Sequence, residues 1–366
     1  MKIISYYLPQ YHEVKENNEW WGEGFTEWVN VKNAKSYFNG HNQPRIPLNN
    51  NYYDLTNVET LRWQAQLANK YDVYGFSFYH YWMGGGKQLL QKPAEILLKN
   101  KDIDINFCFS WANHDWMRTW GSKEKTLLMK VEYGNENEWK KHFDYLLPFF
   151  KDNRYIRIDN QPVFTIYDPK GIENGVEMIK FWQKLAISNG LQGIYFIYQN
   201  NEFHQHQDDE LKNLFQRGIE YQPGKAFTKF NNSPAGYYKR IKHLLADKLN
   251  IDSKNMKLTY DYDEVWKEIL NSKPASKNSI PGAFVDWDDS PRRKERGSVT
   301  LGVTPEKFEK YLTLQLENAK KNYDSDYIFM FAWNEWGESG YLEPDSKNNY
   351  EMLEAVKNAL QNTSEI

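Results

Sequence analysis

Tyr327-Ile328-Phe329-Met330-Phe331-Ala332-Trp333-Asn334-Glu335-Trp336-Gly337-Glu338 is an apolar, aromatic run that breaks into a polar, acidic cluster. A short apolar run without helical spacing fits a strand covered on both faces. The pattern recurs upstream in Ile3–Leu8, Tyr74–Tyr79, Ile105–Trp111, Val163–Tyr167, Ile194–Tyr198, Gly218–Tyr221 and Ala283–Trp287, about eight candidate strands in all. Helical periodicity fills most gaps, as in Val58–Lys70, Glu138–Phe150, Val176–Asn189 and Pro305–Asn322, where Thr304 is a candidate N-cap ahead of a proline. A length of 366 residues admits two domains or one large barrel. Alternation from end to end, with no Pro/Ser-rich linker, predicts an α/β protein of one domain over residues 1–366: a (β/α)8 TIM barrel with elaborated βα loops. Residues 222 to 281, with a Lys-rich helical stretch at Tyr237–Leu249 among polar turns, are the least regular part and read as a long βα excursion.

Such barrels carry their sites at the C-terminal ends of the strands. Polar and aromatic residues gather there: Tyr7, Gln10 and His12 after the first run, Tyr79, His80 and Trp82 after the second, and Trp111, Asn113 and Trp116 after the third. Tyr167, Gln199-Asn200, Glu220-Tyr221-Gln222, Asp286-Trp287-Asp288-Asp289 and Asn334-Glu335-Trp336 continue the series. Aromatic residues make up 16% of the chain, a high share; large rings can fill a core, and Trp and Tyr faces also suit stacking on sugars or bases. A net charge of -3 supplies no field for a phosphate backbone, so sugar is favoured and nucleic acid excluded.

Glu335 and Glu338 are the candidate catalytic pair, because glycoside cleavage uses two carboxyl groups. Three residues apart on a strand they would diverge, whereas on a helical turn, which Gly337 permits, they approach. The pair is expected to open toward solvent without an arginine partner. The alternative is that one glutamate caps or salt-bridges the next loop. Asp286 and Asp288 either bind sugar or pair with Arg292 and Arg293. His80 is a sugar or carboxylate partner, or a structural histidine. Trp82, Trp111 and Trp116 are stacking platforms or core. Asn113 and Asn334 can donate and accept toward hydroxyls. The loop Glu19–Trp28, with Trp21, is expected to fold over the mouth, where Glu23 and Glu27 contact substrate or fasten the loop.

Cys108 reads as a core thiol. His204-Gln205-His206 and Asp208-Asp209 lack zinc spacing and read as a solvated loop, so no metal is expected, and no cofactor. Gly84-Gly85-Gly86-Lys87 lacks the phosphate-loop spacing and reads as a flexible rim. With no leader-like start and no apolar run of about 18 residues, the expected location is cytoplasmic, with peripheral membrane contact left open.

The segments Tyr6-Tyr7-Leu8-Pro9-Gln10-Tyr11-His12, Glu19–Trp28, His41-Asn42-Gln43-Pro44, Tyr79-His80-Tyr81-Trp82, Trp111-Ala112-Asn113 and Ala332–Glu338 resemble the WbsX-type polysaccharide-biosynthesis family, which is related to glycoside hydrolase family 99. The resemblance extends to Tyr341-Leu342-Glu343-Pro344-Asp345. It implies a (β/α)8 barrel acting in surface-polysaccharide (O-antigen or capsule) metabolism on an oligosaccharide or polysaccharide, free or lipid-linked. Members are commonly labelled glycosyltransferases, while the relatives of understood chemistry are endo-acting hydrolases of α-mannosides. Carried over to this sequence, Glu335 would be the base that helps a sugar 2-hydroxyl attack its own anomeric carbon, and Glu338 the acid that protonates the leaving group. Gly337, Ser339 and His114-Asp115 depart from the common pattern, which bears on recognition near the third strand. The leading reading is a retaining glycosidase or transglycosidase. The alternatives are a transferase using an activated sugar donor and a non-catalytic glycan-binding barrel.

Overall fold

The computed structural model describes residues 1–118, 126–199, 209–233 and 258–364. The Tyr237–Leu249 stretch, Asn200, the His204–His206 segment and Asp208 lie outside the described residues.

Eight strands follow the sequence expectation closely: β1 (Lys2–Tyr7), β2 (Gly75–Gly84), β3 (Asn106–Trp111), β4 (Gln161–Ile166), β5 (Tyr195–Tyr198), β6 (Arg217–Ile219), β7 (Ser279–Ile280 with Gly282–Phe284) and β8 (Tyr327–Phe331). Each pairs in parallel with its sequence neighbour, and β8 returns to β1 with Lys2 opposite Tyr327 and Ser5 opposite Met330. Pro281 splits β7, since proline has no N–H for a ladder. The first half pairs with β6 and the second with β8, which closes the (β/α)8 barrel.

Helices Val58–Lys70, Glu136–Phe150, Gly175–Ser188 and Pro305–Asn322 lie where periodicity placed them. Thr304 Oγ1 accepts the Lys307 N–H at 3.3 Å, and the Asn57 and Asn135 side chains cap two more helices. Cys108 is fully buried, and burial pushes its thiol up to about 12. The Gly84–Gly86 segment is the turn of a hairpin: β2 folds back on Lys87–Leu89, and all three glycines have positive φ. Among the described residues no helix is long and apolar enough to cross a membrane.

Strand alternation decides which residues reach the barrel's interior. Tyr6 of β1 points inward, stacked on Tyr79 at 5.5 Å and edge-on to Tyr221, while Ser110 of β3 donates to Gln199 across the interior. Their neighbours in sequence point out to the helices. Tyr7 donates to Gln64 on the Val58–Lys70 helix, Trp82 stacks on His142 at 4.3 Å, and Trp111 packs against His142 and Trp182.

Candidate active site

After β8 the chain makes a small platform. Asn334-Glu335 pairs antiparallel with Gly340-Tyr341, and Trp336–Glu338 between them is one 3-10 turn. Asn334 fixes it to β1, its Oδ1 accepting the Leu8 N–H at 2.7 Å and its Nδ2 donating to the Leu8 carbonyl at 3.0 Å. The Tyr11 hydroxyl donates to the Asn334 carbonyl and accepts the Trp336 N–H. Trp336 stacks on Tyr341 at 3.7 Å and donates its indole N–H to Glu343. The Asp288 N–H donates to the Glu338 carbonyl. Almost every polar group of the turn is thus held from behind, which presents Glu335 and Glu338 in fixed directions.

The two carboxylates share one cation. Arg292 reaches Glu335 at 3.0 Å through Nη2, Glu338 at 2.6 Å through Nη1 and Glu27 at 2.7 Å through Nε. One guanidinium fork keeps the bound oxygens of the pair within roughly 8 Å, a span that can flank one glycosidic bond. The expectation of an open, arginine-free pair is therefore corrected: the Glu335 side chain is 6% exposed and that of Glu338 21%. Gly337 is needed for space rather than for its torsions, because a Cβ there would lie 2.1 Å from Glu27 Oε1 and 2.8 Å from Arg292 Nε.

Three carboxylates against one guanidinium leave two excess negative charges if all are ionised. Burial first, then Glu338 and Glu27, push the Glu335 carboxyl above the ordinary range, against the pull of Arg292. A raised carboxyl is protonated more of the time, and when ionised it is the stronger base.

Tyr79, Tyr81 and Tyr221 stand around the cluster. Their hydroxyls are raised mainly by burial, with Glu335 adding to all three, and Tyr79 hydrogen-bonds Tyr221. Of the other residues singled out in the sequence, Trp21 and Trp116 are half-buried beside the mouth, Trp116 edge-on to Tyr81 at 5.2 Å. Gln10 is buried, accepts the Glu27 N–H at its carbonyl and leaves Nε2 without a partner. Tyr167 is half-buried against His114.

Several expected sugar contacts are packing residues instead. Tyr7, Trp82 and Trp111 point outward, as described, and His80 lies 2.7 Å from His142, nitrogen to nitrogen. Burial lowers both imidazoles, His80 to about 3, so they pair as neutral donor and acceptor. Asn334 and Trp336 brace the turn, and Asn113 staples the loop at Asp168 through that residue's N–H and carbonyl. His12 is 1% exposed with its imidazole lowered by burial, and Glu23 is exposed on the loop. Asp286 pairs with Arg45 at 2.6 Å, and Asp288 holds His41 and Gln43 at 2.8 and 2.7 Å, so neither takes Arg292. Trp287 donates to Ser298 and packs on Phe227 and Phe331. Glu27 fastens its loop by an ion pair, one of the two roles open to it. Sequence reasoning missed Tyr6, Tyr81 and Arg45; the two-residue period of β1 and β2 separates Tyr6 from Tyr7 and Tyr81 from Trp82 without saying which face is inward. No signal marked Arg292 as the shared cation.

The fold and this platform define a (β/α)8 barrel with an acidic cluster at the C-terminal ends of its strands. A family model described as glycosyltransferase WbsX matches residues 3–356, and the chain belongs to that family. An uncharacterized protein WxcX from Xanthomonas campestris pv. campestris (strain B100) is 29% identical over 367 residues. That match takes in 100% of this chain and 50% of the relative, so the chain spans about half the length of the curated relatives it matches. Among solved structures, a GH99 endo-α-mannosidase from Bacteroides thetaiotaomicron superposes with TM-score 0.55 at 15% identity, covering 99% of this chain and 96% of that one. A glycoside hydrolase-like protein superposes with TM-score 0.60 at 10% identity, covering 98% and 93%. At these identities the likeness is one of fold.

Proposed function

We propose that residues 1–366 act as one catalytic barrel, a retaining, endo-acting glycosidase or transglycosidase of bacterial surface polysaccharide or its lipid-linked precursor. The observation that carries this reading is the Glu335–Arg292–Glu338 arrangement on a braced turn at the barrel mouth. Glu335 takes the proton of the sugar 2-hydroxyl as that oxygen attacks the anomeric carbon, and Glu338, the more exposed of the pair, protonates the departing oxygen. Water or an acceptor hydroxyl, deprotonated by Glu338, then opens the 1,2-anhydro ring while Glu335 returns its proton to O2. Two inversions give net retention. A raised carboxyl suits Glu335, because a sugar hydroxyl is a weak acid and yields more readily to a stronger base. Arg292 makes the ionised pair tolerable without neutralising it.

The family's description favours a second reading, sugar transfer from an activated donor. It requires a nucleotide-sugar, whereas the first requires only the glycan. Glu335→Gln and Glu338→Gln should each lower turnover of the native repeat unit by orders of magnitude while glycan binding persists. Unchanged turnover in either variant would remove the assignment.

A further inference from the structure

A second arginine at the barrel mouth has different surroundings. Trp116 and Arg118 lie two residues apart on a short strand after β3, which pairs with Thr126–Met129. They meet the helix Lys15–Trp21 that follows β1: Trp116 packs on Trp20 at 5.5 Å, and Arg118 Nη2 donates to the Trp20 carbonyl at 2.9 Å. The guanidinium lies 5.3 Å from the Trp21 ring centre, and its Nε is buried without a hydrogen-bond partner. Among the described residues no carboxylate is paired with it. The wall is continuous with the catalytic cluster, since Trp116 stands edge-on to Tyr81, whose hydroxyl feels Glu335, Glu27 and Glu338.

A half-buried guanidinium fixed by tryptophans, with a donor unsatisfied and no acid opposite among the described residues, has the chemistry of an anion-recognition group. Its neighbours supply flat apolar faces for a pyranose ring. The cleft floor points the other way, because its three carboxylates outnumber Arg292 and repel an anion. We propose that Arg118, Trp20, Trp21 and Trp116 form an outer subsite for a negatively charged glycan unit, so that the substrate binds with its anionic unit at the rim and a neutral residue at the carboxylate pair. The negative group is either a uronate carboxylate within the chain or a phosphate at the lipid-carrier end. The inference rests on the glycan-cleaving reading for the direction of the substrate, but its titration measures binding alone.

The experiment is calorimetric titration of the Glu338→Gln protein, chosen because its turnover is expected to be lower by orders of magnitude, with the repeat unit of the source strain's own polysaccharide. One arm compares the native unit with its carboxyl-reduced form, and the other compares the unit's 1-phosphate with the phosphatase-treated form. At least one charged form should bind about tenfold or more tightly than its neutral counterpart, and Arg118→Gln should erase that difference while leaving the neutral affinity in place. A preference confined to the first arm assigns the subsite to a uronate, and one confined to the second to the carrier phosphate. Equal affinity in both arms, a preference that survives Arg118→Gln, or no binding of any form would overturn the proposal. If the wild-type protein cleaved charged and neutral units equally, the subsite would fall while the glycosidase reading stood.

Discussion

Replacing Glu335 by Gln separates a working carboxylate from a structural ion pair before any substrate is in hand. If Glu335 were present to hold Arg292, losing one partner of a buried pair would cost about 3–5 kcal/mol. The cluster argues otherwise, because Arg292 keeps Glu27 and Glu338 when Glu335 is neutral. Removing one of three negative charges moves the site closer to balance. The sign with pH follows from the raised carboxyl. Below the unfolded-state value the group is protonated in both states and contributes nothing that changes. Above it, the folded protein retains a proton that the unfolded chain releases, so wild-type stability falls with pH until the folded carboxyl itself ionises. The slope is about 1.4 kcal/mol per pH unit at most. Glutamine has no such slope. For a chain of this length about 1 kcal/mol corresponds to roughly 1–2 °C in Tm. Thermal unfolding should therefore show the variant within about 2 °C of wild type near pH 5 and gaining a few degrees on it by about pH 8. A variant that is less stable by about 4 °C or more throughout that range would refute the reasoning.

Arg292→Met leaves three buried or half-buried carboxylates without a cation and should cost about 3–5 kcal/mol, seen as a large fall in Tm that shrinks at acid pH. The acid limb of kcat/KM should have its midpoint displaced above the ordinary carboxylate range, since Glu335 has to ionise before it can accept a proton; a midpoint at the ordinary value would contradict its assignment as base. Gly337→Ala forces a Cβ against Glu27 and should lose about 1–3 kcal/mol in denaturant unfolding together with most turnover. Tyr7→Phe removes only the hydrogen bond to Gln64, so it should cost about 1 kcal/mol and leave kcat and KM unchanged.

The barrel was legible because each strand is enclosed on both faces and so writes itself as an apolar run, from Ile3–Leu8 to Tyr327–Trp333. The acidic turn was legible for a related reason: Glu335 and Glu338 follow the last strand directly, where a barrel opens. What the runs conceal is facing. In a strand buried on both sides the inward and outward residues are equally apolar or aromatic, so Tyr6 and Tyr7, or Tyr81 and Trp82, look alike until the helices claim one of each pair. His80 and Trp111 were lost to the site in this way. Long-range charge pairing was hidden too. Arg292 lies two residues after Ser290 and close in sequence to Asp286, Asp288 and Asp289, yet its partners are 265, 43 and 46 positions away, and only the closed barrel brings β7, β8 and the first loop together.

The central claim, that the Glu335–Glu338 pair breaks a glycosidic bond without an activated donor, is tested most directly with the source strain's own polysaccharide repeat oligomer. The purified protein is incubated with it in excess chelator, with and without nucleotide-sugar, and the products are followed by mass spectrometry and by NMR of the anomeric proton. The account predicts cleavage without nucleotide, a product that first appears with the substrate's anomeric configuration, and loss of both with Glu338→Gln. Turnover that depends strictly on the nucleotide-sugar would contradict it.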